Sequence, residues 1–236
     1  MAGLSVSEVQ EGVIVAELDR PPGNLWTTPL CREFTALLDG PPESAHVLRL
    51  RSAGGVFCLG REREGVTPGD LRSEASVLVA MTRALRRTRL VTVAEVQGDA
   101  AGFGVGVLAA CDVSVAEAGA RFSFPEVGIG LAPAVVLAWL PRVVGEREAF
   151  WLTATGEQVS AARALELGLV NVVVEGAETV VAEAARRVAA LRQRDPRVHA
   201  EIRDMLRAMA PLSDDGALDL AVDRLVVGSL RRGEGM

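Results

Sequence analysis

The sequence predicts an α/β fold with a core over residues 1–190 and a C-terminal helical region over residues 191–236. Two patterns lead to this fold class. Segments typical of strands alternate with segments typical of helices along the first part, and the pattern is helical from residue 176 onward. A third observation is that 49% of the 236 residues are apolar. A chain of this size and composition can bury a stable core without disulfides or metal ions.

The first predicted elements are a β-hairpin, a helix and a strand. Residues 3–9 and 12–18 alternate apolar and polar side chains on either side of a glutamate–glycine turn, as a hairpin does. Apolar residues then recur at helical spacing over 29–39, before a Gly-Pro-Pro break, and 46–51 form the next strand. The charged segment 61–73 contains a Pro-Gly pair and is predicted to be an exposed loop or a short helical piece.

The rest of the chain continues this alternation and then becomes helical. Ser160 is the predicted N-cap of one helix, and Gly168 marks its end. The predicted elements are a helix at 74–88, a strand at 90–96, a glycine-rich turn at 98–106, a helix at 105–111, a strand at 112–116, helices at 134–144, 146–154 and 161–167, a strand at 169–174, and a helix from 176 to about 193 with further helices after Asp195-Pro196.

Two residue types are absent, and their absence excludes several kinds of chemistry. The chain has no tyrosine, and all 25 of its basic residues are arginines because it has no lysine. Schiff-base and pyridoxal-phosphate chemistry, a P-loop lysine, Ser–Lys catalysis and a tyrosine acid or base are therefore excluded. The net charge of −6 argues against nucleic acid as a partner, since phosphate binding requires a basic face.

The cysteines and the N-terminus set further limits. Cys31, Cys58 and Cys111 lie far apart in the sequence and have no histidine nearby, which indicates neither a metal site nor a disulfide framework. The first residues lack the basic start and apolar run of a signal peptide, and no uninterrupted run of about 18 apolar residues could span a membrane. We therefore expect a soluble, cytoplasmic protein.

Three segments point to chemistry, although each alone has a plain structural explanation. Residues 98–106 do not match the dinucleotide pattern GxGxxG, because from Gly102 its last glycine would fall at Val107. The helix start there could hold negative charge, or its glycines could serve only close packing. Residues 56–61 alone indicate a β-turn. Glu126 lies among apolar and turn residues, so it is either an exposed loop residue or a desolvated carboxylate that serves as a base.

Four stretches, taken together and in this order, resemble the crotonase (enoyl-CoA hydratase/isomerase) superfamily. They are GGVFCLGRE at 54–62, VQGDAAGFGVG at 96–106, ACDVSVAEAGARFSFPEVGIGLAP at 110–133 and SAARALELGLVNVVV at 160–174. The resemblance implies a crotonase-like core of ββα spiral repeats with a C-terminal helical extension, assembled as a homotrimer or hexamer. It also implies that the substrate is an acyl-CoA or acyl-carrier thioester, with no separate cofactor and no metal.

The resemblance assigns roles to individual residues by position. The backbone N–H groups of Arg61 and Phe103 would form an oxyanion hole for the thioester carbonyl. Gly102 and Gly104 would lie in the substrate-binding turn, and Glu126 matches the second glutamate of the family. Since lysine is absent, arginines would bind the coenzyme phosphates, and the candidates are Arg20, Arg61 and Arg63.

The sequence also departs from the family pattern. Hydratases carry their first glutamate at the position of Gly106, and the second oxyanion position, usually glycine, is Phe103, whose side chain would crowd or shape the acyl pocket. Hydration uses two carboxylates to hold and split water, whereas a single carboxylate can move a proton between carbons. The pattern therefore favours an enoyl-CoA isomerase, as well as a carboxymethylproline-synthase-like branch that has a bulky residue at this position.

Three alternatives stay open at this point. The first is an enoyl-CoA hydratase, and the second is a non-catalytic acyl-CoA-binding member that has lost its first glutamate. The third is a serine peptidase, because some peptidases share this spiral fold. A peptidase would need a histidine near a serine, and His46 and His199 both lie outside the four stretches.

Overall fold

The computed structural model describes residues 3–234, without the side chains of Val9 and of residues 232–234. The chain forms two compact units, the first ending at Gln193 and the second beginning at Arg194. Within the described residues, no helix is both long enough and apolar enough to cross a membrane.

A six-stranded sheet forms the frame of the first unit. Its strand order is β1-β2-β3-β5-β7-β10, with β1 and β2 antiparallel and the other neighbours parallel. The antiparallel pair confirms the predicted hairpin. The strands are β1 Leu4–Gln10, β2 Val13–Leu18, β3 Val47–Ser52, β5 Val91–Val96, β7 Val113–Glu117 and β10 Val172–Val174.

A second, shorter sheet carries the segments that lead into the site. Its order is β4-β6-β8-β9, in which β4, β6 and β8 run parallel and β9 closes the edge in the antiparallel direction. The strands are β4 Val56–Cys58, β6 Asp99–Ala101, β8 Arg121–Ser123 and β9 Val159–Ser160. Each of the first three is entered from a strand of the long sheet.

This pairing confirms the ββα repeats that the resemblance implies. β3, β4 and α2 form one repeat, β5, β6 and α3 form the next, and β7 and β8 lead into a 3-10 turn followed by α4, α5 and α6. The helices of the first unit are α1 Thr28–Asp39, α2 Pro68–Arg87, α3 Phe103–Ala110, α4 Ala134–Leu137, α5 Pro141–Val144, α6 Glu146–Thr155, α7 Ala161–Glu166 and α8 Ala177–Arg192, and the 3-10 turn is Pro125–Ile129.

Apolar side chains cover both faces of the long sheet. On one face the main core includes Phe34, Leu50, Met81 and Phe122, all fully buried. On the other face α8 packs its apolar stripe onto the valines of the strands. The small-residue helix α3 is almost wholly buried, and a helix apolar on every side is expected to be enclosed in this way.

Several predicted boundaries are wrong, for local reasons. α2 begins at Pro68, not residue 74, because Thr67 and Asp70 form a capping box and proline suits the first helical position. The predicted helix at 134–144 is two short helices, with Pro141 at the first position of the second. Within the predicted turn at 98–106, the chain instead forms β6 and starts α3 at Phe103.

The described part of the second unit, residues 194–234, contains two helices. α9 spans Pro196–Met209 and α10 spans Asp214–Glu234. The side chain of Asp195 accepts a hydrogen bond from the Arg197 N–H and so caps α9, which explains the break predicted at Asp195-Pro196.

Candidate functional site

The site forms where the parallel strands of the short sheet end. β4 leads into Gly60 and Arg61, β6 leads into Gly102 and Phe103, and β8 leads through Phe124 to Glu126. Parallel strands end at the same edge of a sheet, so residues that are distant in sequence meet there. The structure therefore brings together Arg61, Phe103 and Glu126, as the sequence predicts.

The backbone of Arg61 is oriented by Trp26. The Trp26 N–H donates to the Gly60 carbonyl over 3.0 Å, and the Glu62 N–H donates to the Trp26 carbonyl over 2.9 Å. These bonds make Trp26 and Arg61 an isolated parallel bridge. In such a bridge the central residue turns its own N–H and carbonyl away from the partner. The Arg61 N–H consequently points away from Trp26 and bonds to no other described residue.

Phe103 supplies a second free N–H beside the first. It is the first residue of α3, where backbone N–H groups lack intrahelical acceptors, and within residues 3–234 its N–H has no partner. A Cβ atom placed on Gly60 would lie 4.0 Å from the Phe103 nitrogen, so the two turns are adjacent. The Phe103 side chain is 6% exposed and packs in the main core.

Glu126 lies against the start of the same helix. A Cβ atom placed on Gly102 would lie 2.5 Å from Glu126 Oε1, and Gly102 also has a φ of +51°, which side chains rarely adopt. The Gly102 N–H donates to the Ser123 carbonyl over 2.9 Å, which ties α3 to β8. Glu126 Oε2 is buried and has no hydrogen-bond partner among the described residues. A buried polar atom without a partner is unusual, and it marks Glu126 as a candidate for contact with a bound ligand.

Gly104 and Gly106, two further glycines of residues 98–106, allow close packing. A side chain on Gly104 would overlap the carbonyl oxygen of Cys58, so this glycine lets α3 approach β4. The structure gives Gly104 this packing position, and its role in substrate binding stays a prediction. At Gly106 an added Cβ would lie 2.7 Å from Cγ2 of Val136 in α4. Valine thus fills the space that a side chain at position 106 would need.

Two of the three candidate phosphate-binding arginines form ion pairs with other residues of the same chain. Arg20 pairs with Glu62 over 2.8 Å and donates to the Leu25 carbonyl over 2.9 Å. The Arg61 guanidinium pairs with Glu74 of α2 over 3.1 Å. These contacts hold the chain around the site and compete with any phosphate.

Arg63 is the candidate whose side chain is exposed, and it makes no ion pair with the part of the chain that the structure describes. Its role in binding the coenzyme stays a prediction.

The peptidase alternative gains no support from the histidines. His46 lies just before β3, next to the hairpin glycine Gly12, and His199 is in the second unit. Over residues 3–234, no group of three or more His, Cys, Asp or Glu side chains is arranged to hold a metal ion.

The sequence does not reveal the residues that hold the backbone of the site segments in place. Asn24, buried and with a φ of +48°, donates to the carbonyls of Ala53 and Val56 and accepts from the Arg20 N–H over 2.8 Å. Its place after Pro-Pro-Gly is a signal, since asparagine tolerates left-handed turns. The contacts of Trp26 and Val136 leave no local signal, because each depends on a partner distant in sequence.

This chain is similar to known proteins over most of its length. The model of the family described as Enoyl-CoA hydratase/isomerase matches residues 8–230. The chain is 26% identical over 224 residues to a probable enoyl-CoA hydratase from Bacillus subtilis, which covers 92% of this chain and 86% of that protein. It is 30% identical over 178 residues to the trans-2-decenoyl-(acyl-carrier-protein) isomerase of Streptococcus mutans, with 71% and 68% covered.

A solved structure gives the same fold. The crystal structure of an enoyl-CoA hydratase from Mycobacterium smegmatis matches with a TM-score of 0.90 and 24% identity, over 97% of this chain and 91% of that one. At this level of identity the likeness establishes the fold.

Proposed function

Because this chain belongs to the enoyl-CoA hydratase/isomerase family, we propose that it binds an enoyl thioester and moves a proton between two carbons of the acyl chain. One observation carries this proposal above the others. The Glu126 carboxylate, with one oxygen buried and unpartnered among residues 3–234, lies beside the start of α3, where the backbone N–H of Phe103 is free.

The two free N–H groups would stabilise the negative charge that forms on the thioester. When a proton leaves the carbon next to the thioester, electrons move onto the carbonyl oxygen and an enolate forms. Donors from Arg61 and Phe103 would meet that oxygen, and losing one donor of this kind costs about 10²–10³ in rate. Since the donors are main-chain groups, the absence of lysine and tyrosine does not obstruct the chemistry.

Glu126 would act as both base and acid. It would take a proton from C2 of a 3-enoyl thioester and return it to C4, so that the double bond moves from C3–C4 to C2–C3. The product has the same mass as the substrate, and no water or cofactor enters. One carboxylate suffices for this transfer when it stays close to both carbons.

The surroundings of Gly106 support isomerisation over hydration. The matching position carries a glutamate in hydratases, whereas here Val136 fills the space above a glycine. A second carboxylate that would hold a water molecule is therefore missing from this side of α3. An apolar valine also offers no hydrogen bond to a water molecule.

Hydration is the second candidate, because the Bacillus subtilis relative is named as a probable hydratase. The acyl group could be carried by coenzyme A or by an acyl carrier protein. The Streptococcus mutans relative is named for an acyl-carrier-protein substrate, which supports testing thioesters of both carriers.

A mass-spectrometric screen distinguishes these reactions. The purified protein is incubated with 2-enoyl, 3-enoyl and malonyl thioesters of both carriers. Isomerisation gives a product of unchanged mass with a new retention time, hydration adds one water, and decarboxylation removes carbon dioxide. Conversion of 3-enoyl to 2-enoyl thioester is the expected result. Binding without any conversion would instead indicate a non-catalytic acyl-CoA-binding protein.

A further inference from the structure

We infer that Glu74 of α2 is a positioning residue that holds the segment around Arg61, and thereby the backbone N–H of Arg61, in place in the oxyanion hole. This inference rests on the proposed function, because the oxyanion hole formed by the Arg61 and Phe103 N–H groups is part of that proposal. Glu74 lies 13 residues after Arg61, and none of the four motif stretches includes it.

The contacts of Glu74 converge on one short segment. Its Oε2 accepts the Arg61 guanidinium over 3.1 Å. Its Oε1 accepts the Glu64 N–H over 3.0 Å and also the N–H of Gly65. A single carboxylate therefore binds the oxyanion donor residue Arg61 and two residues of the segment that follows it.

The segment needs such support because it lacks other regular structure. Residues 62–66 belong to no helix or strand, and among the described residues the only strand-like pairing of Arg61 is its bridge to Trp26. Trp26 holds the segment from one side, and Glu74 holds it from α2. Gly65 fits closely here, since a Cβ atom on it would lie 3.0 Å from Glu74 Oε1.

The charge state of Glu74 agrees with this task. Although burial opposes its ionisation, the hydrogen bonds from the Glu64 and Gly65 N–H groups and from Arg61 hold the pKa of Glu74 below its usual range. Its side chain is only 12% exposed. Ordered charge-assisted bonds of this kind are shorter and stronger than neutral ones.

The test compares Glu74→Gln with a matched control. Glu183→Gln removes another helical glutamate that is 13% exposed and pairs with two arginines, but on α8, which packs on the opposite face of the long sheet. Glutamine at 74 can still accept one N–H but loses the ionic bond to Arg61. We expect kcat to fall about tenfold with KM changed less than about threefold, because a displaced donor is felt mainly in the transition state.

Two further readouts report on the donor itself. The ultraviolet band of a bound conjugated enoyl thioester shifts to the red when its carbonyl is polarised, and this shift should shrink in Glu74→Gln. Amide hydrogen exchange over residues 59–67 should become faster. Arg61→Met keeps the backbone N–H but removes the ion pair, so it should resemble Glu74→Gln, and the double variant should lose little more. Glu183→Gln should match the wild type in all these measurements.

The outcomes separate this inference from the proposed function. Unchanged exchange over 59–67 together with an unchanged red shift in a folded Glu74→Gln variant would overturn the inference, even if the thioester is turned over. If no thioester is turned over by the wild type, the proposed function fails. In that case faster exchange in Glu74→Gln still supports the bracing by Glu74, and unchanged exchange still overturns it.

Discussion

Val136 and Gly106 share one space: a Cβ atom on the glycine would lie 2.7 Å from Cγ2 of the valine. The glycine is on α3 and the valine on α4, so position 106 can take a larger side chain only if the side chain at position 136 becomes smaller or moves. α3 therefore lacks the first glutamate that the family resemblance assigns to the position of Gly106 in hydratases. The pair is the structural counterpart of the sequence departure at Gly106.

Adding a glutamate at position 106 should succeed only when the valine is also reduced. Gly106→Glu alone forces the new side chain against Val136 and should lower the stability by roughly 1–3 kcal/mol, as overpacking does. Gly106→Glu with Val136→Ala should recover stability and gain hydration of a 2-enoyl thioester. Thermal denaturation and mass-spectrometric detection of added water check the two parts. Val136→Ala alone is the control and should gain no hydration.

Glu126→Gln should abolish most of the turnover while leaving binding intact. Glutamine keeps the shape of the side chain but cannot take the proton, so kcat should fall by at least about 10²–10⁴. Thioester affinity should change little, since main-chain donors hold the carbonyl. Steady-state kinetics and calorimetric titration measure the two quantities.

The exposed Glu157 of the loop after α6 provides the control for that substitution. Glu157→Gln should behave as wild type in kinetics and in binding. Full activity in Glu126→Gln would show that another group moves the proton.

Gly102→Ala should damage both the fold and the activity. Its φ of +51° strains any side chain, and the added methyl would lie 2.5 Å from Glu126 Oε1. Gly54→Ala is a matched control, because Gly54 also has a positive φ (+75°) but nothing lies within 4 Å of its added Cβ. We expect Gly54→Ala to cost about 1 kcal/mol of stability, from backbone strain alone.

The comparison therefore isolates the collision with the carboxylate. Gly102→Ala should lose more stability than Gly54→Ala and should lower kcat, whereas Gly54→Ala should keep the wild-type kcat. Equal effects of the two substitutions on turnover would contradict the placement of Glu126 against Gly102. Urea denaturation and steady-state kinetics supply both measurements.

Stability should decline at alkaline pH because of two buried thiols. Burial raises the pKa of Cys31 and of Cys58 to about 12, whereas an exposed thiol in the unfolded chain titrates near about 8.5. At a pH below the thiol pKa of the unfolded chain, both thiols are protonated in the folded and the unfolded states, so they do not make the stability depend on pH. As the pH rises from there towards 12, the unfolded state ionises first, so stability falls by up to about 1.4 kcal/mol per pH unit for each thiol.

The composition makes this decline easy to assign. With no lysine and no tyrosine in the chain, the side chains that usually titrate in this range are missing. Urea denaturation at about pH 8 and about pH 10 should show the loss, and the double variant Cys31→Ala/Cys58→Ala should show a much flatter dependence. A slope that is the same in both proteins would exclude the thiols as its cause.

The sequence predicts the framework and the candidate site residues because both depend on local signals. Alternating strands, capped helices and the glycines of the site turns are set by neighbouring residues, and Arg61, Phe103 and Glu126 lie in stretches with a family resemblance. The start of α2 was predictable in principle, since Thr67 and Asp70 form a capping box. The Pro-Gly pair obscured it, because proline at the first helical position resembles a loop signal.

The supporting contacts could not be predicted, because they join residues that only the fold brings together. Trp26 orients Arg61 and Glu74 binds the segment behind it, and the sequence does not state either pairing. The same limit applies to the arginines. The sequence position of Arg20 makes it a candidate for phosphate binding, whereas its pairing with Glu62 is visible only in the tertiary structure.

The two sheets have different roles, and this difference has a consequence for protein engineering. The long sheet sets the spacing of the repeats. The turns that follow β4, β6 and β8, here called their exits, contain one candidate site residue each, namely Arg61, Phe103 and Glu126. The exits of β4 and β6 are tied to other segments by main-chain hydrogen bonds, in which Trp26 donates to Gly60 and Gly102 donates to Ser123. The three turns could therefore be exchanged as cassettes with those of another chain of the same fold, so that new chemistry is grafted onto an unchanged framework.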